Sequence, residues 1–226
     1  MHKQVPALIR LGCYRTVWQF TKRYLKDERL RRAFSIQPLL VGGNPFNTTS
    51  IYSLIHYLER RWGVHFPRGG PGALVSALGQ LMHDVGVSVR LNQHVERITI
   101  DQGRATGVEL ASGESIAADL VICNGDPAQI YRNLVPAENR KRWTNRRIDA
   151  LKYSMGLYVL YFGTDRKYTD VEHHTIVFGE QYQELLQRIF AGEPAGDDLS
   201  LYLHRPTATD PNLAPEGKDT FYVLAP

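Results

Sequence analysis

Apolar positions recur at helical spacing through the first sixty residues, and the pattern breaks wherever glycine or proline intervenes. Candidate helices run from Val5 to Leu11, Tyr14 to Lys26, Glu28 to Val41 and Thr49 to Trp62. They are separated by Gly12, the Gly42-Gly43-Asn44-Pro45 turn and Gly63. At ~100° per residue, Tyr14, Val17, Trp18, Thr21, Tyr24 and Leu25 share one face of the second helix, and Arg15, Lys22, Arg23 and Lys26 share another. Such a basic amphipathic helix suits an anionic bilayer interface, and it equally suits a surface helix packed on its own core by its aromatic side.

From Val64 the pattern becomes alternating strand and helix. Val64 to Phe66 reads as a short strand, Pro67 to Gly72 as a glycine-rich turn, and Ala73 to Val85 as a helix stopped by Gly86. Strands are expected at Val87 to Leu91, Val95 to Ile100, Ala105 to Ala111 and Ser115 to Cys123, with Gln102-Gly103 as a hairpin turn. A short helix reaches about Leu134, and the polar, basic residues 136 to 148 read as a linker or exposed helix. The run Tyr153 to Phe162 carries large residues on both alternating faces, which predicts a strand covered on both sides. Strands at Thr175 to Phe178, Leu199 to His204 and Thr220 to Leu224, and a helix from Gln181 to Phe190, complete an α/β organisation with a small antiparallel insert.

The 226 residues are 43% hydrophobic and 22% charged, enough for one large or two small cores and far from a disordered or fibrous composition. No apolar run reaches the ~18 residues of a spanning helix, and the N-terminal residues lack the apolar core of a signal peptide, so a cytoplasmic or peripheral membrane location is expected. The formal net charge of +4 is uneven: Arg10 to Arg32 is dense in Lys and Arg, opposed only by Asp27 and Glu28. Nucleic acid is an unsuitable partner, because no recognised module is present and the aromatic residues lie on the helix face away from the charges.

Motifs exclude more than they assign. Cys13 and Cys123 are far apart and without metal-ligand spacing, which reads as two reduced thiols. There is no Gly-x-Ser-x-Gly, His-Glu-x-x-His or Cys-x-x-Cys, so hydrolase and zinc-enzyme readings lose support. The adjacent His173 and His174 should point to opposite faces of a strand, which argues against a shared metal, and no metal is expected. Pro67-Arg68-Gly69-Gly70-Pro71-Gly72 entering a helix reads either as an anion site at a helix N-terminus or as glycines that allow close packing; it is neither a dinucleotide fingerprint nor a P-loop.

Four strings carry a resemblance. They are Leu39 to Phe46 followed by Thr49 to Ile55; Trp62 to Val75; Val87 to Val95 leading into Ile98; and Leu199 to His204 with Leu213-Ala214-Pro215-Glu216-Gly217. In this order and spacing the chain resembles the bacterial phytoene (carotenoid) desaturase family, within the flavin amine oxidase-like class.

The resemblance implies part of a Rossmann-like FAD-binding domain interleaved with a mixed-sheet substrate domain and a helical membrane-docking region. On that division residues 1–62 dock substrate and membrane, 63–135 belong to the FAD-binding domain and 136–226 to the substrate-domain sheet. It implies FAD as cofactor, Val95 meeting the adenine through its backbone, and Arg68, Gly69 and Gly70 near the flavin. Leu40, Phe46 and Ile51 become candidates to line the route of a hydrophobic C40 polyene, although core packing explains such residues equally well. The implied reaction is desaturation of a carotenoid precursor such as phytoene, on a membrane surface met by the basic helix 14–26. No side chain is assigned as a catalytic acid or base. The family's N-terminal glycine motif for the FAD pyrophosphate and its C-terminal FAD segment are not in these residues, so the chain is expected to be an internal fragment of a longer parent, inactive by itself. A related flavin oxidoreductase acting on another lipid or an amine, and a truncated membrane-binding remnant, remain as alternatives.

Overall fold

The computed structural model describes residues 5–225, which form two compact units. Of these, one comprises residues 5–78 and 154–225, the other Gly79–Tyr153. One boundary falls inside a helix and the other directly after Tyr153.

The first unit opens with helices α1 (Val5–Leu11), α2 (Val17–Tyr24), α3 (Glu28–Ser35) and α4 (Leu54–Trp62). Their limits follow from caps. Thr16 and Gln19 form a reciprocal capping box that starts α2 three residues later than periodicity alone predicts, and Asp27 caps α3 through the Leu30 amide. Pro38 cannot continue α3, so Gln37–Val41 becomes a 3-10 turn, closed by Gly42 at φ 72°. A second 3-10 turn, Ser50–Ser53, precedes α4, and Gly63 ends it. The expected Val64 to Phe66 strand is irregular chain leading into α5 (Gly70–Asp84).

The remainder of this unit is a four-stranded sheet of β4 (Tyr158–Thr164), β5 (His174–Val177), β6 (Leu201–His204) and β7 (Asp219–Ala225), in the order β4-β7-β6-β5. Every pairing is antiparallel, so the expected mixed sheet is corrected in this portion. Helix α8 (Tyr182–Ala191) supplies the core through Tyr182, Leu185 and Leu186. Val17 of α2, Pro38 and Pro45 are also fully buried, and Phe46 sits with its ring centroid 5.0 Å from Trp18 and 6.2 Å from Tyr182. Arg32 ties α3 down by donating to the carbonyls of Gly179 and Glu180 at 2.9 and 3.0 Å. The covered strand expected at Tyr153 to Phe162 is corrected too. Tyr158 through Phe162 pair with β7, yet their side chains are exposed on both faces.

The second unit holds β1 (Val95–Asp101), β2 (Arg104–Leu110) and β3 (Ser115–Ala117), antiparallel in sequence order. Gln102 and Gly103 turn the hairpin with positive φ at both positions, 46° and 78°. Helix α6 (Pro127–Gln129) runs into a π-turn to Leu134, and α7 (Asn145–Asp149) buries Ile148 completely, so the supposed linker carries a core anchor. Val87 to Leu91 and Ala118 to Cys123 form no ladder. Their apolar runs satisfy strand propensity, but a strand requires a neighbour to accept its backbone hydrogen bonds, and among the described residues only the Ala118 amide finds one on a neighbouring strand, at the Thr106 carbonyl.

Candidate functional site

In the first unit, the glycine turn meets strands β5 and β6 at a cluster of polar and aromatic side chains. Gly69 and Gly70 adopt φ of 80° and 73°, conformations that L-residues with a Cβ avoid, and this lets the chain swing sharply into α5. The Gly69 amide donates to Asp210 Oδ2 at 2.7 Å. The carboxyl of Asp210 is held below its ordinary range first by that amide and further by Asn212 and the nearby Arg68 charge, against burial, which raises it. The anion that this turn binds is therefore one of the protein's own carboxylates. Arg68 itself is exposed and makes no ion pair among the described residues.

The residue before Asp210 continues the site. Thr209 Oγ1 lies 2.5 Å from Nδ1 of His173, and Nε2 of His173 lies 2.6 Å from Nε2 of His204. His174 stacks on His204 with centroids 5.3 Å apart and rings within 9° of parallel, and its Nδ1 meets the Tyr202 hydroxyl at 2.5 Å. Phe66, three residues before Gly69, packs edge-on against His173 at 4.9 Å and His204 at 5.8 Å, joining turn and cluster. The opposite-face argument for His173 and His174 fails because β5 begins only at His174; His173 lies outside the strand, and the two rings approach to 4.4 Å.

The electrostatics favour neutral rings at His173 and His204. Burial, reinforced by the neighbouring imidazoles, pushes His204 down to about 4, and burial together with His174 and Arg205 lowers His173. Tyr202 is raised, by burial and then by Tyr222, so its hydroxyl stays protonated. Arg205 is itself neutralised by Asp219 at 3.2 Å. The cluster thus presents imidazole lone pairs and hydroxyl donors able to pass a proton or hold a cation.

Of the sequence-derived candidates, Gly69 and Gly70 lie at this site with Arg68 at its rim. Val95 is half-buried at the start of β1 in the other unit. Leu40 and Ile51 are exposed on the two 3-10 turns, whereas Phe46 belongs to the Trp18–Tyr182 aromatic cluster. His204, Tyr202, Thr209 and Asp210 were not singled out by sequence. Pairing the two expected strands at Thr175 to Phe178 and Leu199 to His204 would have set His204 beside His174, its partner in the observed register.

Comparison with known proteins gives consistent relatives. The family model for flavin containing amine oxidoreductase matches residues 11–225. The chain is 48% identical over 226 residues to a lycopene-forming phytoene desaturase of Paracoccus sp. (strain N81106 / MBIC 01143), covering all of this chain and 45% of that protein. It is 44% identical to a neurosporene-forming phytoene desaturase of Cereibacter sphaeroides, covering 99% and 44% respectively. The chain thus spans less than half the length of these relatives. Among solved structures, an oxidoreductase from Methanosarcina mazei superposes with a TM-score of 0.68 at 19% identity, over 99% of this chain and 51% of that one. A Pyrococcus furiosus protein gives 0.67 at 17%, over 93% and 49%. At those identities the likeness speaks to fold alone.

Proposed function

Because this chain belongs to the flavin containing amine oxidoreductase family, we propose that it is part of an FAD-dependent desaturase that introduces double bonds into a C40 carotenoid precursor such as phytoene. The observation that carries this reading is the 48% identity to a lycopene-forming phytoene desaturase, sustained over the full 226 residues.

The residues present suit one wall of a flavin site. Two consecutive positive-φ glycines keep the turn free of side chains, and at Gly72 an added Cβ would meet nothing within 4 Å, so a flat ring can approach the first turn of α5. Arg68, Gly69 and Gly70 are the residues assigned to hold it, with Arg68 offering the positive charge. A bound flavin would supply the electron-accepting chemistry of dehydrogenation, taking up the two electrons lost when adjacent carbons give up their hydrogens. The chain's own contribution is to orient the ring and keep the turn rigid through the Asp210 clamp. In the other unit, Val95 is assigned a backbone contact to the adenine. Val95→Ala should therefore leave flavin affinity unchanged, and Val95→Pro should lower it.

An insoluble polyene must be collected from a membrane. No helix among the described residues is long and apolar enough to cross one. The segment 14–26 is assigned to surface docking: Tyr14, Tyr24, Lys22, Arg23 and Lys26 are exposed, while Val17 and Thr21 face inward. Leu40 and Ile51, both exposed apolar groups, are assigned to the polyene's route. Sedimentation with anionic vesicles should carry the chain down, neutral vesicles should not, and a Lys22→Glu/Arg23→Glu variant should stay in the supernatant.

The decisive experiment replaces the matching segment of the Paracoccus desaturase with these 226 residues. A chimaera that retains FAD through gel filtration and converts phytoene in liposomes to coloured products supports the proposal. A folded, flavin-loaded chimaera inert towards phytoene overturns it.

A further inference from the structure

We propose that His173, His174 and His204 form a three-imidazole site for a late first-row divalent cation, Zn2+ in the first instance. One nitrogen from each ring can be chosen so that all three lie within 4.8 Å of one another. A tetrahedral zinc at about 2.0–2.1 Å from each nitrogen sets its ligands roughly 3.3 Å apart. The rings must open the 2.6 Å His173–His204 contact and draw in nitrogens that lie up to 4.8 Å apart.

Two further observations point to a ligand. His204 is 6% exposed, and its Nδ1 is buried without a hydrogen-bond partner, a condition that ordinary packing avoids. His173 and His174 each have Nδ1 engaged by a hydroxyl, Thr209 and Tyr202 respectively. When those Nδ1 atoms carry the proton, each Nε2 keeps its lone pair for a cation, and a hydroxyl partner on Nδ1 is the outer-shell support that metal-binding histidines generally have. Asp219 pairs with Arg205 and so reduces the repulsion that the guanidinium would exert on a cation. His174 is exposed, so the fourth position opens to water, the arrangement of three protein ligands plus solvent typical of reactive zinc sites. Imidazole donors without thiolates or a ring of carboxylates suit Zn2+, Cu2+ or Ni2+ over Mg2+ or Ca2+. The site stands independently of the flavin reading.

The test uses the untagged 226-residue chain, stripped with EDTA and titrated with Zn2+ in competition with a chromophoric chelator, and with Co2+ followed by its visible absorption. One saturable equivalent per chain with a tetrahedral or five-coordinate Co2+ spectrum is expected. His174→Ala, at an exposed position, and His204→Gln should each weaken binding at least tenfold. His83→Ala, which removes a well-exposed histidine outside the cluster, should leave it unchanged. If His204→Gln fails to fold, His174→Ala with an unaltered circular dichroism spectrum decides. Absence of a saturable equivalent, or equal affinity in the wild-type and His174→Ala chains, overturns the proposal.

Discussion

Asp219 holds the guanidinium of Arg205 at 3.2 Å where neither side chain has more than a tenth or so of its surface in water. The same carboxylate accepts from the Thr207 hydroxyl and the Tyr168 amide, binding the start of β7 to two neighbouring loops. Burial raises its pKa, but those two donors and Arg205 together pull it further down, leaving it below the ordinary carboxylate value. The unfolded chain therefore takes up this proton first. The stabilisation is complete above about 3.9, the unfolded value, and is lost as pH falls through the lower folded one. Thermal melts from about pH 6 to about pH 2 should show this loss, and Asp219→Asn should flatten it. Asp219→Ala, which leaves a buried cation unpaired, should cost about 3 kcal/mol at neutral pH.

Gly107 sits in β2 at φ 152°, a region open almost only to glycine, and a Cβ there would run into the backbone of Ile116 and Ala117 on β3. Gly107→Ala should destabilise the three-stranded sheet by about 2 kcal/mol. Hydrogen exchange locates the effect: amides of β1, β2 and β3 should lose protection while those of β6 and β7 keep theirs.

Ile148 reports whether the residues between Leu134 and Tyr153 belong to a core. Its side chain is fully enclosed although the helix around it has only five residues. Ile148→Ala should lower urea-unfolding stability by about 2–5 kcal/mol. An exposed linker would show a change near zero.

The Asp210 clamp on Gly69 can be read by proteolysis, because Arg68 immediately before it is an exposed tryptic site. Removing the carboxylate leaves the Gly69 amide without its partner. At about 1 kcal/mol for the bond, Asp210→Ala should speed cleavage after Arg68 roughly fivefold, and Asp210→Asn should give an intermediate rate.

Local rules made much of the framework legible. Periodicity places α1 from Val5 to Leu11, glycine and proline place the breaks, and Gln102-Gly103 announces the β1–β2 hairpin. Reading failed where the outcome depends on neighbours. Val87 to Leu91 has the composition of a strand without a partner strand, and Tyr158 to Phe162 has the composition of a buried one without cover. The glycine turn was visible as a motif, but its occupant, Asp210, lies 141 residues away and comes into view only through the fold. The histidine cluster was hidden by assuming that the alternation of a strand extends one residue beyond its end.

Among the described residues β4 pairs only with β7, joining Tyr158 to Ala225 at one end and Thr164 to Asp219 at the other. Those partners are made 55 to 67 residues after the strand they pair with. At ~5–20 residues per second on a ribosome, roughly 3–13 s separate the synthesis of Tyr158 from that of Ala225. Throughout that interval the strand Tyr-Val-Leu-Tyr-Phe has neither edge paired. The order of synthesis thus makes β4 wait for β7, a stage at which a nascent chain is exposed to pairing with another copy.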